Sequence, residues 1–185
     1  GHIKLSINKA AKESFDIDLR IPGWATNAAV RINSKDFPVS VKAGTYARLS
    51  RKWKKGDVIE LELPMPARLM EANPLVEEAR NQVAVMRGPI VYCIESPDLD
   101  GGRIFDVVIP SDIQMKAVKD RIAGAQLTFL QGEALIQSPN DWNTGLYRPI
   151  NSEDGLQKID IKLVPYFAWG NRGKSEMSVW MPLTR

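Results

Sequence analysis

The residues of this chain that could do chemistry include two pairs of carboxylates. Asp16 with Asp18, and Glu60 with Glu62, place two carboxyl groups on one face of an extended strand. A glycosidase uses two carboxyl groups that flank the scissile bond. Alternating carboxylates opposite apolar residues are also typical of the solvated face of a sheet. We favour the solvated face and expect none of these four residues to be catalytic.

Thiol and imidazole chemistry rests on one residue each, Cys93 and His2. A disulfide needs a second cysteine, a structural zinc site needs about four Cys or His ligands, and a Ser-His-Asp triad needs a positioned histidine. Cys93 lies in an apolar run, and burial in apolar surroundings raises the pKa of a thiol. We therefore expect Cys93 to be an inert core residue, and we predict no catalytic residue, metal site or cofactor in this chain.

Two further motifs have binding interpretations that are weaker than the structural ones. Residues 98–102 (DLDGG) resemble the start of a calcium loop but lack its later oxygen ligands and closing Glu, so a plain turn is expected. Residues 51–57 (RKWKKGD) are the only basic cluster, and the net charge of +3 is small. We interpret them as a solvated hairpin turn and expect no nucleic-acid partner.

Aromatic residues offer a different function, because exposed aromatic rings can stack on sugars. The chain has five Trp; Trp142 lies in the longest polar loop, and Trp169 follows Tyr166 in residues 165–173 (PYFAWGNRG). Loops on a rigid β scaffold are where binding residues concentrate. Trp142, Tyr166 and Trp169 are therefore our candidates for carbohydrate contact, with packing as the structural alternative.

The elements that must position these residues are strands. Phe15, Ile17, Leu19 and Ile21 alternate with polar residues, and this period of two indicates a half-buried strand. Further strand candidates are residues 30–32, 37–41, 59–63, 83–86, 90–94, 105–109, 115–118, 126–130, 134–136, 158–164 and 177–181. The run at 90–94 is apolar throughout, which favours a strand buried on both faces.

Short turns separate these strands, and no helix-length amphipathic segment interrupts them. We predict an all-β protein of two antiparallel β-sandwich (jelly-roll-like) units in tandem. Pro64 and Pro66 cannot donate ladder hydrogen bonds, so the first group of strands ends there. The predicted domains are residues 1–72 and 73–185, with a linker over residues 68–81.

Composition fits a folded protein, with 44% hydrophobic and 25% charged residues. No run approaches the roughly 18 apolar residues of a membrane span, so we expect no membrane partner. Gly1 without an initiator methionine looks like a cloning remnant, and we expect the natural polypeptide to begin upstream. The compartment stays open, because a signal peptide would not be visible in an internal fragment.

Six phrases, in this order, give the chain a family resemblance. They are residues 19–25 (LRIPGWA), 51–57 (RKWKKGD), 63–65 (LPM), 83–95 (VAVMRGPIVYCIE), 165–173 (PYFAWGNRG) and 177–180 (MSVW). The ordered set resembles the C-terminal β-sandwich region of the β-L-arabinofuranosidase family of glycoside hydrolases, family 127, formerly a domain of unknown function.

This resemblance implies an N-terminal helical (α/α)₆ barrel that carries the chemistry, followed by two β-sandwiches to which this chain corresponds. In that family a cysteine nucleophile sits in a zinc site of three cysteines and a glutamate, with an acid/base glutamate nearby. None of those positions maps onto this sequence, so Cys93 shares only a residue type with the nucleophile. The resemblance also implies that the first sandwich is truncated at its N-terminus.

Two functions remain open from the sequence. The first is a non-catalytic region that braces the catalytic barrel of the same polypeptide and shapes the rim of its cleft. The second is a carbohydrate-binding module for a plant-type polysaccharide, using Trp142, Tyr166 or Trp169. Under either interpretation the chain itself is not an enzyme, whereas the longer protein is expected to be a retaining β-L-arabinofuranosidase-like hydrolase. The sugar and the linkage lie outside what this sequence specifies.

Overall fold

The computed structural model describes residues 1–100, 102–137, 146–147 and 155–184. In this part of the chain the regular elements are β-strands and four short 3₁₀ turns, which confirms the prediction of a mainly β protein. The chain divides into two compact units, Gly1–Pro66 and Ala67–Arg185.

The strands of the first unit are β1 (His2–Ser6), β2 (Phe15–Arg20), β3 (Ala29–Ile32), β4 (Lys35–Asp36), β5 (Tyr46–Arg51) and β6 (Val58–Glu62). Those of the second are β7 (Ala67–Glu71), β8 (Gln82–Arg87), β9 (Ile90–Glu95), β10 (Val107–Pro110), β11 (Lys116–Ile122), β12 (Ala125–Gln137), β13 (Leu156–Pro165), β14 (Met177–Ser178) and β15 (Met181–Thr184). The 3₁₀ turns are Glu77–Ala79, Ser96–Asp98, Ile104–Asp106 and Tyr166–Ala168.

The segment that we interpreted as a linker, residues 68–81, contains a strand. Residues 67–71 form β7, which pairs with β8 over the register Ala67↔Arg87 to Glu71↔Val83 and so belongs to the second unit. The division between the units therefore falls after Pro66, earlier than residue 72. We predicted an irregular segment because it contains charged residues and Pro74. A strand at the edge of a sheet, such as β7, tolerates charged residues because one of its edges faces solvent.

Two antiparallel sheets build the first unit. One has the order β1-β6-β3-β4, and the other pairs β2 with β5. Both sheets contribute to one buried cluster, with Leu19 and Leu49 from the two-stranded sheet and Ile32 and Ile59 from the four-stranded one. Each such side chain contributes roughly 1.5–3 kcal/mol when it is fully buried. The predicted alternation in β2 and β6 thus marks the inner faces of these sheets.

Two sequence predictions in this unit were wrong in detail. The basic stretch 51–57 turns at Gly56, whose φ is +93°, but it joins β5 to β6, which lie in different sheets, so it is not a hairpin. Turn residues indicate only that the chain changes direction there. They do not show which strands pair, and β5 and β6 both pair with strands that are distant in sequence. Residues 37–41 form no strand: Phe37, Val39 and Val41 pack against the core from an irregular segment.

The second unit contains a sheet that closes on itself. Its six strands pair around a ring in the order β8-β9-β13-β12-β10-β15 and back to β8. Neighbours in the ring are antiparallel except β10 and β15, which are parallel. Interior side chains come from every ring strand, including Val85, Ile94, Ile109, Leu130, Leu163 and Met181. The ring therefore encloses a packed core, as in small barrels.

Ring closure is a correction to the predicted second jelly-roll-like sandwich. Alternation along a strand tells which face is buried, but two separate sheets and one closed sheet bury the same residues. The sequence did identify β9 correctly as buried on both faces. Tyr92 and Ile94 lie in the ring core, whereas Cys93 lies in a second cluster with Ile122 and Phe129.

β12 unites two segments that we predicted as separate strands, residues 126–130 and 134–136. Between them lies Gly132, where a Cβ would come within 3.0 Å of the Gln114 carbonyl oxygen. The glycine therefore permits a close backbone approach within a continuous strand rather than ending it. β12 pairs with β11 over one part of its length, with β10 over another, and with β13.

Candidate functional site

The loop that carries two of the predicted sugar-contact residues is a short irregular segment after β13. Tyr166 opens the 3₁₀ turn Tyr166–Ala168, and the Trp169 N–H donates to the Tyr166 carbonyl at 3.3 Å. Gly170 and Gly173 follow with φ values of +76° and +100°. These are left-handed conformations that favour glycine, so the sequence WGNRG turns sharply at two points.

A buried carboxylate, Glu95 at the end of β9, anchors this loop. Its oxygens accept hydrogen bonds from the Gly170 N–H at 2.9 Å, from the Ser175 hydroxyl at 3.1 Å and from the Arg172 guanidinium. Arg172 also donates from Nη1 to Asp98 Oδ1 at 2.8 Å. One guanidinium thus joins the last residue of β9, Glu95, and Asp98 in the turn after it to the loop that bears Trp169.

Electrostatics fix the charge states in this cluster. Burial would raise the pKa of Glu95, but hydrogen bonds from Gly170 and Arg172, the Arg172 charge and the Ser175 hydrogen bond outweigh it and lower the pKa. The pKa of Arg172 is raised, chiefly by its hydrogen bond to Asp98. Glu95 therefore stays ionised with its oxygens engaged, which suits an anchor and not a proton donor. Asp98 is held by Arg172 and is not free to act as a calcium ligand.

Cys93, two residues before Glu95 on β9, is fully buried in a cluster with Ile122 and Phe129. Its Sγ lies 3.7 Å from the Val164 carbonyl oxygen. Burial, helped by the negative charge of Glu95, raises the pKa of the thiol to about 12. A thiol with this pKa is protonated at neutral pH and is a poor nucleophile and a poor metal ligand.

We expect Cys93 to react slowly with a thiol reagent in the native protein and rapidly after unfolding. The physical reason is its complete burial and its raised pKa. Labelling with a chromogenic disulfide reagent at pH 8, with and without denaturant, measures both rates. Native labelling as fast as that of the denatured chain would contradict the assignment.

The three aromatic residues that we predicted to contact sugar differ in their surroundings. Tyr166 and Trp169 are both partly exposed, at 46% and 41%, whereas Trp142 lies outside the described residues. Tyr166 lines a cavity of about 620 Å³ together with Phe105 and Trp180, and Trp169 is not among the residues that line it. Phe105 and Trp180 were not among the residues that we predicted to contact sugar.

The sequence contexts of Phe105 and Trp180 suggested other roles than sugar contact. We assigned Phe105 to a strand, but it lies in the 3₁₀ turn Ile104–Asp106 that precedes β10. Trp180 served only as part of a family phrase, and it lies between β14 and β15, outside both strands. A tryptophan flanked by strand breaks is a loop aromatic, which is the criterion that had selected Trp169.

The paired carboxylates on the strands contact basic side chains of neighbouring strands. Asp18 accepts two hydrogen bonds from Arg48, at 2.9 and 3.1 Å, and these contacts lower its pKa. In the four-stranded sheet, Glu62 contacts His2 at 2.7 Å, and Glu60 lies 4.0 Å from Lys4. These are cross-strand pairs on exposed surfaces, and each contributes little to the stability of the fold.

No group of three or more His, Cys, Asp or Glu residues in the described part of the chain is arranged to hold a metal ion. The family zinc site implied by the resemblance needs three cysteines, and Cys93 is the one cysteine here. Its buried, protonated thiol does not fit that donor set. The described ranges also contain no helix long and apolar enough to cross a membrane.

The fold and these sites define a class: a two-unit, all-β region with an aromatic-lined cavity. Comparison with protein families identifies both units. Residues 1–65 match the family described as "Beta-L-arabinofuranosidase, GH127 middle domain", and residues 67–182 match "Glycoside hydrolase family 127 C-terminal domain". The chain therefore belongs to glycoside hydrolase family 127.

Individual relatives agree with this assignment. A non-reducing end β-L-arabinofuranosidase of Bifidobacterium longum subsp. longum is 30% identical over 97% of this chain and 28% of its own length. A solved glycoside hydrolase superposes over the whole chain with a TM-score of 0.93 at 46% identity, covering 30% of that protein. A family 127 β-L-arabinofuranosidase from Geobacillus stearothermophilus T6 gives 0.89 at 34%, covering 29%. The chain thus spans less than a third of the length of these relatives.

Proposed function

We propose that this chain is a non-catalytic β region of a β-L-arabinofuranosidase-like glycoside hydrolase, where it braces a catalytic (α/α)₆ barrel in the same polypeptide and contributes to the rim of its cleft. The observation that carries this proposal is the pair of family matches. They assign the two units to a middle and a C-terminal domain, and relatives that are named as arabinofuranosidases are more than three times as long.

The chemistry of the described residues supports a non-catalytic role. The thiol of Cys93 is buried and protonated, and Glu95 is engaged by three donors. The carboxylates Asp18 and Glu62 lie on exposed strands in contact with Arg48 and His2, respectively. We propose that the zinc site and the nucleophile of the family belong to the barrel, and that this chain needs no cofactor.

Activity of the isolated chain tests the first half of the proposal. We expect the purified 185-residue chain to release no nitrophenolate from 4-nitrophenyl β-L-arabinofuranoside above a buffer blank, with or without added zinc. The Bifidobacterium longum relative, assayed in parallel, is the positive control. Turnover that co-elutes with the chain through two chromatographic steps would overturn the non-catalytic assignment.

Bracing is tested in that relative by deleting the part of its sequence that this chain matches. We expect the truncated enzyme to unfold at a lower temperature and to lose most of its activity, because the barrel surface that the β region covers becomes exposed. Unchanged activity together with an unchanged unfolding temperature would overturn the bracing role. This result is independent of the activity assay on the isolated chain.

A second candidate function is binding of a plant-type polysaccharide through the loop aromatics Tyr166 and Trp169, with Trp142, which lies outside the described residues, as a further candidate. The observation in its favour is that Tyr166 and Trp169 both remain partly exposed. Retention of the chain on an arabinan affinity gel, lost with Trp169→Ala, would support this form of the hypothesis.

A further inference from the structure

The cavity lined by Phe105, Tyr166 and Trp180, which we call the aromatic cavity, combines exposed rings with an uncharged lining. The three rings are 56%, 46% and 37% exposed, respectively. Among the described residues that line it, the Tyr166 phenol is the only titratable group. The cavity volume of about 620 Å³ lies within the range of small-molecule sites, which is roughly 300–1,000 Å³.

The same lining offers hydrogen-bonding groups that are not used inside the protein. The Tyr166 hydroxyl, the Trp180 indole N–H and the Gln82 amide have no hydrogen-bond partner among the described residues. The Ser178 hydroxyl donates to the Trp180 carbonyl at 2.6 Å, and its oxygen keeps lone pairs that can accept. The lining therefore offers both hydrogen-bond donors and acceptors in addition to the ring surfaces.

Fixed backbone elements hold these groups before any molecule binds. Tyr166 belongs to a 3₁₀ turn directly after β13, and Phe105 to a turn that the Asp106 N–H closes onto the Arg103 carbonyl at 3.0 Å. Ile104 beside Phe105 and Met181 beside Trp180 are buried in the ring core. A preformed site loses less conformational entropy on binding than a flexible one.

We propose that the aromatic cavity is a binding site for a neutral saccharide. Sugar rings present C–H faces that pack on aromatic rings and hydroxyls that both donate and accept, which matches this lining. A charged molecule would find no counter-ion there. By contrast, another cavity of the second unit is lined by Lys116, Glu133 and Lys162, and it lacks aromatic rings. The proposal goes beyond the bracing role and does not depend on it.

Saturation-transfer difference NMR on the purified chain tests the site, because it detects weak contacts. The probes are methyl β-L-arabinofuranoside and soluble arabinan, at 10 mM sugar units. The matched variants are Phe105→Ala and Phe167→Ala: both residues are exposed phenylalanines in 3₁₀ turns of the second unit, at 56% and 66%, but only Phe105 lines the cavity. Trp180→Ala is a second cavity variant at a less exposed position, and circular dichroism checks each fold.

We expect saturation transfer to at least one probe, affinity weakened by about tenfold in Phe105→Ala and in Trp180→Ala, and a change within about twofold in Phe167→Ala. Three outcomes would overturn the site: no transfer to either sugar, equal loss in Phe167→Ala and Phe105→Ala, or self-association that Trp180→Ala abolishes, which would assign the cavity to a second copy of the chain. A failure here leaves the activity and truncation results unchanged, so the two proposals fail separately.

Discussion

Replacing Arg172 with methionine is expected to destabilise the second unit by about 3–5 kcal/mol. The guanidinium side chain is 24% exposed and joins Glu95, which is fully buried, to Asp98. Methionine keeps much of the apolar volume but leaves two carboxylates facing each other without a cation. Urea denaturation at pH 7, followed by amide hydrogen exchange of β9 and β13, measures the free energy of unfolding of this unit.

Arg80→Met is the matched control. Arg80 also forms an ion pair in the second unit, with Glu77 at 3.3 Å, but its side chain is 61% exposed. Solvent screens such a pair, and its loss is expected to change the free energy of unfolding by less than about 1 kcal/mol. Equal effects of the two substitutions would show that Arg172 is not a buried anchor.

The stability of the native chain and that of Arg172→Met should depend differently on pH. Because the pKa of Glu95 is lowered in the folded state, its contribution to stability is complete above the unfolded pKa of about 4.3. That contribution is lost as the pH falls through the folded pKa. In Arg172→Met the hydrogen bond and charge of the guanidinium no longer lower the pKa of Glu95, so we expect that pKa to be higher than in the native chain. The variant should therefore lose less stability than the native chain as the pH falls below the unfolded pKa of about 4.3.

Replacing Trp53 with alanine is expected to destabilise the first unit by about 3–5 kcal/mol. The indole is 2% exposed in the core, its N–H donates to the Phe15 carbonyl at 3.0 Å, and the Arg51 guanidinium lies 5.2 Å from its ring centroid. Alanine leaves a cavity between the segment after β5 and the start of β2. Amide hydrogen exchange of β2 and β5 at increasing urea concentration measures the free energy of unfolding of the first unit separately from that of the second.

Tyr46→Ala is the control for this substitution. Tyr46 is an aromatic residue of β5 that is 64% exposed, so its removal should cost less than about 1 kcal/mol. Trp53→Phe should give an intermediate loss, because it keeps an apolar ring but leaves the Phe15 carbonyl without the indole donor. A loss in Trp53→Ala no larger than that in Tyr46→Ala would contradict the packing described here.

Local sequence patterns predicted strands well where the residue types show directly which faces of the strand are buried. The alternation from Phe15 to Ile21 gave β2, and the apolar run after Gly88 gave β9. The glycine itself has a φ of +58°, which suits the tight turn between β8 and β9. In these places the burial pattern and the turn chemistry act over few residues, and the sequence displays both directly.

Features that depend on distant partners could not be predicted in the same way. The pairing of β15 with β10 joins Leu183 to Ile109, and no periodicity in either strand indicates a parallel neighbour. The aromatic cavity gathers Phe105, Tyr166 and Trp180 from three loops. Nor does the sequence show that Arg172 reaches Glu95, since the two residues meet only because the loop after β13 folds back onto the end of β9.

Closure of the ring has a consequence for synthesis on the ribosome. β15, residues 181–184, lies between β8 and β10 and completes the circle of strands. Synthesis proceeds from the N-terminus, so part of one edge of β8 and one edge of β10 stay unpaired until residues 181–184 leave the exit tunnel. Unpaired strand edges are prone to associate with other chains. The interval before β15 emerges is therefore when a nascent second unit most needs protection from its neighbours.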